Sequence, residues 1–590
     1  MTKSEFQKMH QQYTLKEQEL IRKNNILSVL RFCFMFCFVF GLLIGYFQKI
    51  YILYIIAFVC LLLFFVFIHF HHNIKKQLVY VHSKNMVFEE HLQRIQGQWK
   101  SFQDDGSEWV KEKDYKAYDL DILSKSSLYQ MMNVAFTYQG RKRLADTLMC
   151  DDVTDQTIIE RQNAVGDLAN REKFVLELQT FSKMIPKQNE QVIEEFIFDK
   201  QEYKKIPSYF FIFPICTLVS LIGLLINTHP YIRLAFEIGV VAQLCISFIC
   251  MHMHQRLFEP ILQFNKGLGY YQKIFEIIEN ETFESPQLQH LQSRMCVEGK
   301  VVKAIQQLSI IADRVNYRKN IFAFLILNGL FSFDLLMRNT YIEWLNQYHQ
   351  HIQDWFDGLS ELEVLMSLCI LKIDDFKVTM PQIVHNQTLI FHNLRHPLIP
   401  DEKVVGNDFE MSHPVCIITG SNMSGKTTFM RTIGLNLVLA YSGGYVFADD
   451  MKCSPMHMMT SMRVKDNVEE GISTFYGELL RIKDMVQYVS HQKPMICLID
   501  EIFKGTNSLD RFAGAKATIE KLSLPYVMTF LTTHDVELCK LTSISMSLYH
   551  FEEYYKDSRI YFDYIIKEGS SKTTNGQFLL KQLGIIDEKK

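Results

Sequence analysis

The chain has 590 residues, a formal net charge of −3 and 48% hydrophobic residues, among them 45 phenylalanines. A chain of this length is too long for a single hydrophobic core. Its net charge is near neutral, whereas nucleic-acid-binding proteins are usually basic; a local basic patch is not excluded. The 13 cysteines form no Cys-x-x-Cys pair, which excludes the common disulfide and zinc patterns. Six of them lie in apolar segments and are expected to act as small core residues in a reducing compartment: Cys33, Cys37, Cys60, Cys216, Cys245 and Cys250.

Two long apolar runs follow a polar N-terminal segment, residues 1–25. Residues 26–47 and 50–70 are each long enough to cross ~30 Å of hydrocarbon, and only two residues separate them. We therefore predict a transmembrane helical hairpin at 26–72. A cleaved signal peptide is the alternative for the first run, but no small-residue cleavage site follows it and a second apolar run comes at once.

A second pair of apolar runs follows further along the chain, after a linker and a helical domain. Residues 73–119 have helical spacing and are predicted to continue the second span as a cytoplasmic linker, and 120–204 has the three-four periodicity of a helical domain. Two further apolar runs then predict a second transmembrane hairpin at 205–254. Residues 255–380 follow as a second helical region with long lever-like helices, and 381–590 carries the motifs described below.

Basic residues flank both hairpins on the side away from their turns. The positive-inside rule therefore predicts a multi-pass membrane protein whose two termini and C-terminal domain are cytoplasmic. The flanking residues are Arg22, Lys23, Lys75, Lys76, Lys204, Lys205 and Arg256. Within the second hairpin, Arg233 and Glu237 stand four apart on one helical face and are expected to pair; a transport role for Glu237 is the alternative.

A phosphate-binding loop is the clearest chemical signal in the chain. Residues 420–427 fit G-x-x-x-x-G-K-[ST], with an apolar strand before them and a helix after them. The backbone amides of such a loop cradle phosphates, Lys426 reaches the β and γ oxygens, and Thr427 offers its hydroxyl to Mg²⁺. The predicted ATP-binding residues are Gly420, Ser421, Asn422, Met423, Ser424, Gly425, Lys426, Thr427 and Thr428.

Two later strands supply the remaining groups for ATP hydrolysis. An apolar run at 495–499 delivers Asp500 to the Mg²⁺ shell, and the adjacent Glu501 can polarise the attacking water. A second apolar run ends at His534, a suitable position for sensing the γ-phosphate, although a single histidine is more often structural. Between them, the polar loop that contains Asn507 suits a subunit interface.

The order of these motifs resembles the MutS family of mismatch-repair ATPases, within the ATP-binding-cassette class. The resemblance rests on residues 419–431, on 471–475, on 500–506 and on Thr533-His534. Further similar segments are Arg395-His396-Pro397-Leu398, Thr137 with Gly140 and Arg141, and residues 571–576. The family implies an α/β ATPase domain of the ATP-binding-cassette type, preceded by an all-α core and lever region.

The resemblance also implies how the site works. Two ATPase domains would form a homodimer with ATP and Mg²⁺ between them, Ser473 of one copy would complete the site of the other, and Asn422 would contact the γ-phosphate region. Hydrolysis would move the long helices. DNA is a partner by resemblance alone.

The chain also departs from the family pattern. It has no room for the N-terminal mismatch-reading domain; Phe88-Glu89-Glu90 fits the letters of that domain's Phe-x-Glu wedge by chance. The second hairpin stands where the family has a DNA clamp, and Val404 stands where an aromatic residue would pack on adenine. Three uses of ATP remain open: control of DNA binding, a transporter-like membrane machine, or a tether at the envelope that does not bind DNA.

Overall fold

A large all-α N-terminal region precedes a mixed α/β C-terminal domain in the computed structural model of the chain. The structure describes residues 1–111, 114–186, 204–226, 229–296, 299–421, 423–463, 474–504, 507–541, 544–556 and 559–571. The helices of the N-terminal region are α1 (Lys3–Gln48), α2 (Ile52–Ile95), α3 (Tyr115–Asp119), α4 (Leu128–Met132), α5 (Tyr138–Met149), α6 (Asp155–Ala169), α7 (Glu172–Met184), α8 (Ile212–Ile226), α9 (Pro230–Ile249), α10 (Met251–Asn280), α11 (Pro286–Met295), α12 (Lys300–Asn316), α13 (Ile321–Phe331) and α14 (Phe333–Ile373).

The C-terminal domain contains two sheets and a strand pair. Its strands are β1 (Gln382–Ile383), β2 (Leu389–Leu394), β3 (Asn407–Glu410), β4 (Val415–Thr419), β5 (Asp450–Cys453), β6 (His457–Ser461), β7 (Met495–Asp500), β8 (Val527–Thr533), β9 (Met546–His550), β10 (Glu553–Lys556), β11 (Arg559–Phe562) and β12 (Lys567–Glu568). The larger sheet has the order β12-β9-β4-β8-β7-β6 and is parallel except at β12. The smaller sheet has the order β1-β5-β2-β3, and β10 pairs with β11. The helices of this domain are α15 (Lys426–Tyr441), α16 (Thr474–Tyr488) and α17 (Ser508–Leu522).

Helices α1 and α2 form a long antiparallel pair. Small residues bring them together, since a Cβ at Gly41 would lie 3.3 Å from the Cβ of Ala57. Helix α1 begins at Lys3, with Thr2 as its N-cap, and is continuous through the first apolar run. The sequence predicted that the second span continues through residues 73–119, but α2 ends at Ile95.

Within the part of the chain that the structure describes, four helices are long and apolar enough to cross a membrane: α1, α2, α8 with the turn that starts at Ser208, and α9. The number rises to five if α13 and α14, which meet at a bend of 83°, count as one broken span. Arg233 and Glu237 of α9 pair as expected, at 2.9 Å and on the exposed surface. The expectation that apolar-segment cysteines fill a core is wrong for four of them, which are exposed: Cys33, Cys37, Cys216 and Cys245.

The buried carboxyl group of Glu363 fixes the start of α5 against α14. It accepts hydrogen bonds from the hydroxyl of Thr137, at 2.6 Å, and from its backbone N–H. Burial raises the pKa of Glu363 to about 8. A Cβ at Gly140 would lie 1.6 Å from the same carboxyl group, so only glycine fits this contact between helices.

A second buried carboxylate, Asp374, joins α2 to the end of α14. Arg94 donates to Asp374 Oδ2 at 3.0 Å, and His91 bonds to its other oxygen. The three side chains are at most 1% exposed. The amine of Met1 donates to the carbonyl of Ile373 at 3.1 Å and pairs with Glu172, so the start of α1 meets the same point.

We predict that Asp374→Ala destabilises the helical region by about 3–5 kcal/mol, because it leaves the buried guanidinium of Arg94 without its counterion. Urea unfolding of the detergent-solubilised protein, followed by tryptophan fluorescence, measures the loss. The matched control is the neighbouring Asp375→Asn. Asp375 is exposed and has a positive φ of 58°, which asparagine tolerates, so the control should unfold like the parent. Equal unfolding of both variants would contradict the prediction.

Candidate functional site

Three neighbouring parallel strands end at one edge of the larger sheet. β8 lies between β4 and β7, with Thr419 opposite Thr533 and Asp500 opposite Thr532. The loop at Gly420, the pair Asp500-Glu501 and His534 each follow directly from one of these strands. Ligands of parallel sheets bind at this edge, outside the carboxyl ends of the strands.

The loop between β4 and α15 curls around the amine of its own lysine. Gly420 and Gly425 have φ values of 151° and 109°, which lie in the region that glycine adopts most readily. Lys426 Nζ donates to the carbonyls of Gly420 and Ser421 at 2.8 and 2.9 Å. Burial lowers the pKa of Lys426, and the nearby carboxylates of Glu501 and Asp500 oppose that effect.

The other residues of the loop have different environments. Met423, with a positive φ of 70°, is 82% exposed, and Thr428 is exposed in the first turn of α15. Ser421 donates from its hydroxyl to Glu553 at 2.7 Å. The hydroxyl of Ser424 is buried without a hydrogen-bond partner among the described residues. A polar atom in that state indicates a group to be bound at the loop.

Thr427, in the first turn of α15, and Asp500, at the end of β7, form a pair of oxygen-bearing side chains. The hydroxyl of Thr427 donates to Asp500 Oδ2 at 2.7 Å, and the hydroxyl of Thr532 donates to the other carboxylate oxygen. Asp500 is buried, so these donors satisfy a carboxylate that has little access to water. Carboxylate and hydroxyl oxygens are the ligand types that Mg²⁺ prefers, so the donor set fits this ion.

Glu501 and His534 are in direct contact. His534 Nε2 lies 2.7 Å from Glu501 Oε1, and Lys504 Nζ lies 2.9 Å from the other oxygen. The hydrogen bond with His534, with a further contribution from Lys504, lowers the pKa of Glu501 to about 2 against the opposing effect of burial. The carboxylate is therefore ionised at neutral pH, as a group that accepts a proton from water must be.

Three of the predicted site residues lie away from this cluster or outside the described residues. Asn422 and Ser473 are both outside them. Asn507 caps α17, because its side chain accepts a hydrogen bond from the backbone N–H of Asp510 at 2.9 Å. Capping accounts for an asparagine at this position without any contact to a second chain.

Sequence reasoning missed three residues that contact the loop or its acid. Thr532 bonds to Asp500, Glu553 bonds to Ser421, and the ring of Tyr564 lies over Gly425, where an added Cβ would meet it at 3.1 Å. Strand alternation puts Thr532 on the same face as His534, two residues later, and this spacing could have indicated Thr532 as a site residue. No local pattern marks Glu553 or Tyr564, since both reach the loop from more than 120 residues away.

The helical region is attached to this domain through Asp119, at the end of α3. Its fully buried carboxylate accepts hydrogen bonds from Thr460, from the backbone amides of Met462 and Arg463, and from Arg481. These groups flank residues 464–473, which include the first three residues of the family-like segment 471–475 and lie outside the described residues.

Residues 416–585 match the family model for MutS domain V. The match begins in β4 and contains the phosphate loop, Asp500, Glu501 and His534. Over these residues the C-terminal domain is a MutS-family domain, which confirms the resemblance noted at 419–431, 471–475, 500–506, Thr533-His534 and 571–576.

We predict that Asp119→Asn speeds hydrogen exchange at the backbone amides of Met462 and Arg463, because it removes the charge on their acceptor and leaves Arg481 without its carboxylate partner. Hydrogen exchange with mass spectrometry on peptides that cover these residues measures the change. Asp121→Asn is the matched control, since Asp121 bonds to the side chain of Arg463 and not to its amide. An effect of equal size in both variants would show that Asp119 has no special role.

Proposed function

We propose that the chain is a membrane-anchored MutS-type ATPase that binds ATP with Mg²⁺ at residues 420–427 and hydrolyses it in a homodimeric site. One observation carries the proposal: the phosphate loop, the oxygen pair Thr427 and Asp500, and the pair Glu501 and His534 converge at one sheet edge. MutS-family proteins are ATPases as a class, so the domain match supports the same activity.

The loop residues supply binding and the strand ends supply chemistry. Lys426 exchanges the carbonyls of Gly420 and Ser421 for phosphate oxygens, which are stronger acceptors for an ammonium group. Thr427 and Asp500 would hold Mg²⁺, which neutralises phosphate charge when bound. Glu501 accepts the proton of the attacking water, and His534 orients that carboxylate through the hydrogen bond already present.

The role of a second copy of the chain rests on the family resemblance. Ser473 of one copy acts on the nucleotide held by the other, and Asn422 contacts the γ-phosphate. The roles of Ser473 and Asn422 follow from the dimeric arrangement of the family alone. Asn507 is assigned to the subunit interface because it lies in a polar loop.

Four crossings of the membrane, as two hairpins, account for the apolar helices. Both ends of each hairpin then lie on the side of the helical region and ATPase domain, which the flanking lysines and arginines mark as cytoplasmic. The contact of the Met1 amine with Ile373 supports this topology, because it places the start of α1 beside the end of α14. The chain is then a multi-pass membrane protein.

Helix α14 is the element that would carry motion between nucleotide and membrane. Its 41 residues span ~62 Å. Its last turn is followed by Asp374, bonded to α2, and its first turn is preceded by Ser332, whose hydroxyl donates to Gln243 of α9 at 2.8 Å. Helices α2 and α9 therefore bond to the residues that cap the two ends of α14, which favours an action of ATP on membrane segments.

We predict that Glu501→Gln retains ATP binding and loses turnover, because the amide cannot accept the proton from water. Radiolabelled ATP binding and phosphate release from the purified, reconstituted protein separate the two steps. Glu520→Gln, which changes an exposed residue of α17, is the matched control and should leave both unchanged. Hydrolysis by Glu501→Gln near the parental rate would disprove the assignment of the base.

We predict that His534→Ala introduces an acid limb into the pH profile of the residual ATPase activity. With His534 in place the pKa of Glu501 is about 2, so the carboxylate stays ionised between about pH 4 and pH 8. Without that hydrogen bond the pKa rises toward its ordinary value of 4.5, and the rate falls as the pH drops through the new value. His413→Ala, which removes an exposed imidazole of the same domain, should keep the parental profile. An unchanged profile in His534→Ala would refute the coupling.

DNA is the partner that the family resemblance implies, and its test is independent of the ATPase tests. Binding of duplex and branched DNA to the purified protein is measured across a salt series, with and without ATP. A Kd well below the non-specific level of about 10⁻⁶ M, together with a response to ATP, supports a DNA role. Weak binding that ATP does not change removes it and leaves the membrane machine or tether.

A further inference from the structure

Helix α13 is a short apolar helix that none of the predicted membrane segments includes. Its 11 residues, Ile321–Phe331, contain one polar side chain, Asn328, and this side chain is buried. Most of the others are large and apolar, and several are well exposed: Ile321, Phe322, Leu325, Ile326 and Phe331. Phe322 is 74% exposed and Ile326 is 59% exposed. A contiguous apolar face of this kind marks an interaction surface.

The opposite face of α13 packs on α9 of the second hairpin. Phe324 contacts Phe248 edge to face at 5.5 Å, and a Cβ at Gly329 would lie 3.3 Å from Val240. Going along α13, the contacts on α9 shift from Phe248 toward Val240, eight residues or ~12 Å away from the end of α9 that joins α10. Helix α13 therefore lies along the half of this predicted span that is nearer to the helical region.

Polar contacts hold the far end of α13 in place. The carbonyl oxygen of the Asn328 side chain accepts from the backbone N–H of Asp334 at 2.9 Å and lies 3.3 Å from the hydroxyl of Ser247. Ser332, between α13 and α14, bonds to Gln243, which in turn donates to Thr217 of α8 at 2.6 Å. These side chains are buried, and their hydrogen bonds to one another and to the backbone N–H of Asp334 replace bonds to water.

The chain returns to the helical region on both sides of α13. On one side, the backbone carbonyl of Ala304 in α12 accepts from the indole N–H of Trp344 in α14 at 2.8 Å. On the other side, α14 is buried along most of its length and contains the buried ionisable residues Asp334, Arg338 and Glu363. Helix α14 is thus not the second half of a span. The contact between Met1 and Ile373 also requires an even number of crossings, which a fifth full span would break.

We propose that α13 is a re-entrant helix. It inserts beside the second hairpin into the leaflet of the bilayer that is nearer to the helical region. Lipid is the occupant because the exposed face of α13 continues the exposed apolar surface of α8 and α9, with Ile238 at 59% and Val241 at 59% exposure. The helix is ~16 Å long, about half of the hydrocarbon thickness. The exposed Arg314 and Lys319 precede it and lie where anionic headgroups would be.

This inference rests on the proposed membrane location of the second hairpin and adds a third lipid-facing helix to it. Helix α13 connects directly to α14 through Ser332. Movement of α14 therefore changes the position of α13 in the leaflet without any further linker.

Quenching of tryptophan by brominated lipid tests the proposal. The four native tryptophans (Trp99, Trp109, Trp344 and Trp355) lie outside the apolar helices, so added reporters stand out. Phe322→Trp and Ile326→Trp are compared in vesicles of phosphatidylethanolamine and phosphatidylglycerol, with and without brominated acyl chains. Ile238→Trp is the control within the second hairpin, and Leu509→Trp, 82% exposed in the C-terminal domain, is the control for water.

We expect Phe322→Trp and Ile326→Trp to lose the same fraction of their added fluorescence as Ile238→Trp, and Leu509→Trp to lose none. Bromine near the headgroup should quench Phe322→Trp more than bromine near the chain terminus. If both α13 variants behave like Leu509→Trp while Ile238→Trp is quenched, α13 faces water or a second copy of the chain and the inference is wrong. If Ile238→Trp is unquenched as well, the membrane location of the hairpin fails and this inference fails with it.

Discussion

The carboxylate of Asp374 joins three parts of the chain at one buried point. This carboxylate pairs with Arg94 and His91 of α2. Asp374 itself directly follows Ile373, the last residue of α14, whose carbonyl accepts a hydrogen bond from the amine of Met1. Charges buried this deeply are stable only while they remain paired. The first hairpin and α14 are therefore fixed to each other, and displacement of one at this point displaces the other.

A comparable constraint operates at the C-terminal domain, where Asp119 holds both flanks of residues 464–473. The helical region thus contacts the C-terminal domain on both flanks of the segment that, in the proposed dimer, acts on the second nucleotide. Closing of that dimer would reach α3 through Asp119, and α14 through the strands that follow residue 381. In the proposed enzyme, two separate connections would then join the nucleotide site to the helical region.

Local sequence signals predicted the features that depend on local structure. The strand, loop and helix around Lys426 and the two apolar hairpins each lie within short stretches whose pattern is complete in itself. Helix α13 escaped because its 11 residues are shorter than a span and stand between helices with polar faces. The partners of Asp374 and Asp119 escaped because they lie 280 to 362 residues away along the chain, where no spacing rule applies. Asn422 and Ser473 remain predictions.

The lengths of α1 and α2 have an electrostatic consequence. With their apolar residues in the bilayer, the polar part of α2 extends from about residue 72 to Ile95 and rises ~36 Å. The contact at Asp374 then stands roughly 30 Å beyond the hydrocarbon, since His91 lies near the end of that extension. The Debye length at physiological ionic strength is about 8 Å, so the negative potential of an anionic leaflet is almost fully screened at that distance. The ion pairs at Asp374 would therefore form beyond the reach of the surface potential of an anionic membrane.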